Sequence, residues 1–509
     1  MRGRVRSCRW ALVALGLGLL ALLLVPAGAV ARPGGGEGYS GGGDGGGGDG
    51  DGGLAYLLIR IWIEFVIRYP AIGIPATIAI VAFLILRQRK RGKLGPQNWD
   101  SARAPSAPPV RPASKDLDAV RNQDADFSVV LFEDFAYALY ARAHQARSSQ
   151  RELDALAPYL SQEARTHLSQ RRPVGAPVSG VVIGAMRVID LTLPPPVPPP
   201  PGGKPPQTVV VLEFESNMTV GMAGAEHTQY LRERWRLGRD AGVKSRPPEV
   251  VKTFHCPNCG APFEPTGDGN RCGYCGQVVT DGRFEWSVQS IELLATEDRP
   301  PALTSNVQEV GSNWPTLFHP ALAARWAELV REDPAVTQEA LNARLQLIYN
   351  ELNAAWSRGD LGGARPFVSD SLFGYLQYWV TAYGKQGLRN VLEGMRIVEW
   401  KTVKAIRDRR YDSITFRLWG TGRDYTVRQA TGDVVSGNPK VDRFYSEYWT
   451  LIRGAGVHGA PKADKTCPNC GASLDVNMAG ECEHCGAKIT SGEFDWVLSK
   501  IEQDDSYTG

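Results

Sequence analysis

Two sets of four cysteines limit what this chain can fold into more than any other feature. Cys256-Pro257-Asn258-Cys259-Gly260 is answered by Cys272-Gly273-Tyr274-Cys275-Gly276, and Cys467-Pro468-Asn469-Cys470-Gly471 by Cys482-Glu483-His484-Cys485-Gly486. Two C-x2-C pairs about a dozen residues apart can place four thiolates around one ion, because each pair makes a tight turn whose glycine takes φ > 0. The spacing predicts two structural Zn(2+) sites, one of Cys256, Cys259, Cys272 and Cys275, the other of Cys467, Cys470, Cys482 and Cys485. A thioredoxin-like redox pair is the competing reading of Cys256 and Cys259 alone, but it wants a βαβ context and needs no second pair. Four thiolates close the tetrahedron, so His255 and His484 are expected on the surface, and hydrolysis, which needs an open position on the metal, is not expected. Each set ends in the same tail, Phe284-Glu285-Trp286 or Phe494-Asp495-Trp496, so the chain reads as a tandem repeat in which each ribbon closes the end of a domain and its tail returns to the sheet.

A length of 509 residues predicts roughly three or four folded units, which the repeat supplies. Eight of the nine cysteines sit in the two sets and the ninth is Cys8, which leaves no disulfide framework and points to a reducing compartment. A formal charge of +3 is too small at this length to argue for nucleic acid.

Arg2, Arg4, Arg6 and Arg9 precede an apolar run from Ala11 to Val25 and then small residues, the layout of a signal peptide cleaved near Ala29 or Ala31; an uncleaved signal anchor is the alternative. The Gly-rich stretch to Gly53 reads as a flexible tether. Arg60, Glu64 and Arg68 lie four apart, an amphipathic stripe over Leu54 to Tyr69. Pro70 to Leu86 is an uncharged run of seventeen residues, at the short end of a membrane span. Arg87, Arg89, Lys90, Arg91 and Lys93 then hold the C-terminal side in the cytoplasm for a single crossing; a second crossing by Leu54 to Tyr69 would reverse the orientation.

Folded sequence is expected from about Asp118. Phe132, Phe135, Ala136, Leu139 and Tyr140 have helical spacing, more helix is expected over Glu152 to Ser169, and strands over Val181 to Leu193, Thr208 to Met222 and His227 to Leu237. Pro194 to Pro206 separates the first two strands as an exposed polyproline loop. The second half replays this order. Helices are expected at Leu341 to Trp356 and Ser371 to Val380, then strands at Arg396 to Ile406, Ser413 to Thr421 and Phe444 to Arg453, the last closing the sheet ahead of the second cysteine set. Matching landmarks are Met186-Arg187-Val188 with Met395-Arg396-Ile397, Glu233-Arg234-Trp235 with Glu447-Tyr448-Trp449, and Arg239 with Arg453.

Asp412-Ser413-Ile414-Thr415-Phe416, Thr431-Gly432-Asp433-Val434-Val435-Ser436-Gly437 and Phe444-Tyr445-Ser446-Glu447-Tyr448-Trp449-Thr450-Leu451-Ile452-Arg453 resemble the C-terminal domain of the mitochondrial inner-membrane translocase subunit forty-four family. The resemblance covers Ala335 to Gly454 well and Asp118 to Gly242 more loosely. It implies an α+β chain with two cone-shaped nuclear-transport-factor-two-like domains, each a curved antiparallel sheet wrapped on helices around an apolar cavity, and each followed by a small zinc ribbon. The bacterial relatives of the family share the signal sequence, tether and short membrane segment, so a single-pass protein of the bacterial inner (cytoplasmic) membrane is implied, with cytoplasmic C-terminal domains. The resulting organisation is signal peptide 1–31, tether 32–53, amphipathic plus transmembrane segment 54–93, linker 94–117, first translocase-subunit-like domain 118–250, ribbon 251–296, linker 297–334, second such domain 335–462 and ribbon 463–504.

The implied function is a non-enzymatic, membrane-anchored scaffold or transport-associated binding protein, holding a protein segment or membrane lipid in the cavities of both domains. Glu233 and Glu447 each stand two residues from a tryptophan, so strand alternation puts carboxylate and indole on one face. The alternative is therefore a cavity enzyme with Glu447 as general base, against which stands an ion pair of that glutamate with Arg453 or Arg443. Nucleic-acid binding by the ribbons ranks third and is not expected, because Glu481, Glu483, Glu493 and Asp495 would repel phosphates.

Overall fold

The computed structural model describes residues 116–194, 205–222, 224–246, 254–266, 271–298, 309 and 311–509, all within one contact unit. The segments expected to be a signal peptide (1–31), a tether (32–53) and a membrane segment (54–93), with most of the proline loop, lie outside the described residues. Among the described residues no helix is long and apolar enough to cross a membrane.

The first half opens on α1 (Val129–Ala146), which starts where its N-cap Ser128 accepts a bond from the Leu131 amide. The helical stripe read from sequence is the buried face: Phe132, Phe135, Ala136, Leu139 and Tyr140 pack with Phe214, Leu231 and Trp235 of the sheet. The helix expected over 152–169 is two short ones, α2 (Gln150–Ala155) and α3 (Gln162–Ser169), because Ser149 and Ser161 each cap a new start. Strands β1 (Val178–Thr192), β2 (Gln207–Val220) and β3 (His227–Asp240) follow, then the short ribbon strands β4 (Pro265–Thr266) and β5 (Arg271–Cys272), then β6 (Ser287–Asp298). The antiparallel sheet runs β1-β2-β3-β6.

The second half has α4 (Leu322–Glu332), α5 (Gln338–Arg358) and α6 (Asp370–Lys385), then β7 (Leu388–Arg407), β8 (Tyr411–Arg428), β9 (Val434–Gly437), β10 (Arg443–Gly454) and β11 (Val497–Gln503). Its sheet runs β7-β8-β10-β11, with β9 paired to β8. Thr337 caps α5, and Gly359, at φ 70°, ends it in the left-handed conformation that glycine takes without a Cβ penalty. Leu341, Leu345, Ile348, Leu352 and Trp356 of that helix are buried against Trp449 and Trp496.

Three expectations change. The tail after each cysteine set does return to the sheet, but as a further strand, β6 on β3 and β11 on β10, so neither β3 nor β10 closes its sheet and each ribbon is an insertion between the last two strands rather than a module appended after the sheet. Parallel bridges Leu160 to Val288 and Val368 to Leu498 clamp the two returning strands at equivalent places.

The 297–334 linker is structured over its second part. Residues 311–319 strap the second sheet, with Arg417 donating to the carbonyls of Trp314 (2.8 Å) and Gly311 (3.0 Å), and α4 packs on β7. A buried guanidinium on β8 needs acceptors, and the strap's carbonyls supply them.

The Met186 and Met395 landmarks do not coincide either. Counting outward from the two Glu-x-Trp strands, Glu233 faces Phe214, which faces Met186, whereas Glu447 faces Leu418, which faces Trp400. Bulges in β1 and β7 shift the outer register, which periodicity within one strand cannot reveal.

Candidate metal centres

Each cysteine pair is a tight turn whose geometry the backbone sets. In the first ribbon the amides of Gly260 and Gly276 donate to the carbonyls of Cys256 (2.9 Å) and Cys272 (2.8 Å), and in the second those of Gly471 and Gly486 donate to Cys467 (2.9 Å) and Cys482 (2.8 Å). All four glycines have φ between 69° and 77°, where a side chain would be strained. These turns aim the four thiols of each set at one point, with every sulfur within 4.8 Å of the others. The Cys256–Cys275, Cys259–Cys272 and Cys467–Cys485 sulfur separations are 3.8, 4.0 and 3.9 Å. Four sulfurs about 2.3 Å from a central ion in a tetrahedron stand about 3.8 Å apart, whereas a disulfide needs about 2.05 Å. The two sets therefore fit a tetrahedral metal ion and are not disulfides.

Asn258 and Asn469, the third residue of each C-P-N-C turn, do something their sequence position did not announce. The Asn469 amide donates to Cys485 Sγ at 3.4 Å. This bond, first among the causes, holds the Cys485 thiol down to about 6, and Asn258 does the same for Cys275, also to about 6. Burial instead pushes Cys256 up to about 12. A donor on the sulfur favours thiolate, the form that ligates, and fixes its orientation. His255 and His484 stand outside the sets, near the Gly260 carbonyl (3.2 Å) and Asp475 (3.6 Å).

The Glu-x-Trp strands carry a second polar centre in each half. Alternation does put both side chains on one face: Trp235 Nε1 donates to Glu233 (3.2 Å) and Trp449 Nε1 to Glu447 (2.9 Å). Gln503 Nε2 donates to Glu447 at 3.1 Å, while Arg443 goes to Asp424 and Glu309, and Arg453 to Asp333 and Asp412. Glu233 accepts from His144 Nε2 (2.9 Å) and pairs with Arg171. His144 was overlooked, although it lies one helical turn beyond the core residue Tyr140 and so on the same face.

Burial, the largest influence on Glu233, raises its pKa, but His144 and Arg171 outweigh it and hold the carboxyl at about 2. Burial lowers the pKa of His144 and outweighs the pull of Glu233. Both groups therefore stabilise the fold at neutral pH. The share of His144 is lost as pH falls below about 6.5, and that of Glu233, on the order of 3 kcal/mol, as pH falls from about 4.5 towards 2. Denaturant midpoints taken between pH 7 and 3 should fall steadily; a flat profile would contradict this pairing.

The architecture is thus that of an α+β chain with two antiparallel sheets, each interrupted before its last strand by a four-cysteine turn pair able to hold a metal. A family model described as Tim44-like domain matches residues 322–462, from the first residue of α4 to just short of Cys467. The match supports the Tim44 family for this part of the chain and extends the resemblance upstream through α4. No curated protein matches the chain.

Proposed function

We propose that the protein is a membrane-anchored scaffold or transport-associated binding protein, with two Tim44-like domains of the cone-shaped, nuclear-transport-factor-two-like type, carried on the cytoplasmic face of a bacterial inner membrane. The family match over 322–462 carries this reading. The recurrence of the strand order and of the Glu-x-Trp bond in the first half supports extending it to a second copy. The ribbons are structural zinc sites in this reading, since a closed four-thiolate shell leaves no position for water.

Trp356, Trp379, Trp449, Tyr349 and Tyr383 pack in the core of the second domain. An apolar groove of about 510 Å³ lies between α4 and β7, lined by Phe318, Leu322, Trp326 and Trp400. Phe318 is 53% exposed there. Exposed aromatic surface in a groove is the usual place for a protein segment or acyl chain to bury apolar area. Binding rather than turnover is the proposal because the Glu447 carboxylate already accepts bonds from Trp449 and Gln503. Photo-crosslinking residues placed at Trp326 and Trp400 of the full chain in native membranes should capture a protein or lipid. Capture of neither at both positions would overturn the reading.

A further inference from the structure

The interior of the first half differs from that of the second in one chemical respect. Arg147 lies nineteen residues past the N-cap Ser128 of α1, and Trp356 lies nineteen past the N-cap Thr337 of α5; at sixteen past the caps stand His144 and Asn353. Where the second half closes its core with an indole that donates to Asn390 (2.7 Å), the first places a guanidinium that is only 3% exposed. Among the described residues Arg147 has no acidic partner. Its Nε and Nη2 make no hydrogen bond, and Nη1 reaches only the sulfur of Met218 at 3.9 Å.

Glu233 attracts Arg147 across the cluster but makes no hydrogen bond to it, because its oxygens are taken by Arg171, His144 and Trp235. Arg171, 8% exposed, also has an unbonded Nε, and its Nη2 lies 2.9 Å from His167 Nε2. The cluster thus holds two guanidinium charges and one carboxylate, and Glu163, the other acid that acts on His167, is exposed. Burial, then the neighbouring Arg171, lowers the Arg147 pKa to about 10, which still leaves it charged at neutral pH. Arg147 caps the C-terminus of α1, where the helix dipole favours a cation, but that attraction is small beside the desolvation of an unpaired guanidinium. The unused atoms of both arginines are all donors, so the missing group is an acceptor with negative charge.

We propose that the first domain binds an anionic group, a phosphate or carboxylate, between Arg147 and Arg171 at the C-terminal ends of α1 and α3. The site is independent of the apolar groove of the second domain, so either reading can fail without the other.

The test uses the full chain in buffer free of phosphate and sulfate, with inorganic phosphate as the calorimetric probe. One phosphate per chain is expected, with binding weakened at least about tenfold in Arg147→Met and to a smaller extent in Arg147→Lys, which keeps the charge but loses the two-pronged geometry. Unchanged zinc content reports that each variant is folded; if Arg147→Met does not fold, Arg147→Lys decides. Vesicles of phosphatidylglycerol, with phosphatidylcholine as the neutral control, separate the sources. Competition with phosphate by the anionic vesicles alone identifies a lipid headgroup, and absence of competition a soluble anion. No heat with phosphate or with acetate, or equal binding by wild type and both variants, overturns the site.

Discussion

Cys482→Ser is expected to remove one of about two zinc ions per chain and to open the second ribbon while leaving the first loaded. The consequence should reach beyond the ribbon, because the ribbon is the connection from β10 to β11 and is tied to the start of α6. Asp370, in the first turn of α6, accepts from Thr490 Oγ1 (3.0 Å) and pairs with Lys488 (2.8 Å), both in the ribbon. Without the metal those ties slacken and the loop between β10 and β11 is no longer closed. The expected loss is about 2–5 kcal/mol, the scale of a cross-link that closes such a loop. Metal analysis, limited proteolysis between Cys467 and Cys485, and the melting temperature together check it. Full zinc content in the variant, or a wild-type chain that is folded and metal-free, would remove the zinc assignment.

A second large loss is expected from Arg453→Met. Arg453 is 1% exposed, donates to Asp333 (2.9 Å) and to the Gly459 carbonyl (3.1 Å), and lies 4.7 Å over the Trp496 ring. Methionine fills the volume but leaves the buried carboxylate of Asp333 without a counter-charge, which costs about 3–5 kcal/mol. Adding Asp333→Asn should return part of that loss, since the uncompensated charge goes with it. Arg239 makes the corresponding arrangement in the first half, with Asp124 at 2.9 Å and Trp286 at 4.7 Å, so Arg239→Met should behave alike. Urea midpoints at constant m value are the measurement. A cost below about 1 kcal/mol would mean that these knots sit in a more hydrated interior than their burial indicates.

The duplicated knot shows how the reading from residues worked and where it stopped. Arg239 and Arg453 were visible as matching positions, and each Phe-x-Trp tail was visible as a return to the sheet. Their partnership was not. Nothing local ties Arg453 to Asp333, which is 120 residues away in sequence. The same limit explains Glu233, whose partners come from α1 and from the turn after α3, and the strap over β8, which the sequence presents as linker. Arg147 had no signal at all, since a basic residue at the end of a helix is ordinarily solvated.

What the sequence determined by itself is local chemistry. Cysteine spacing with glycine after each pair dictates turns that converge four sulfurs, apolar periodicity dictates the buried stripes of α1 and α5, and alternation dictates that Glu and Trp share a face. Each depends on geometry within a few residues. Only the tertiary structure decided that the ribbons interrupt the sheets rather than follow them, which strand register brings Trp400 opposite Leu418, and which buried charges find partners. Those outcomes depend on contacts between distant segments, whose energies are comparable among many alternatives until the whole core packs.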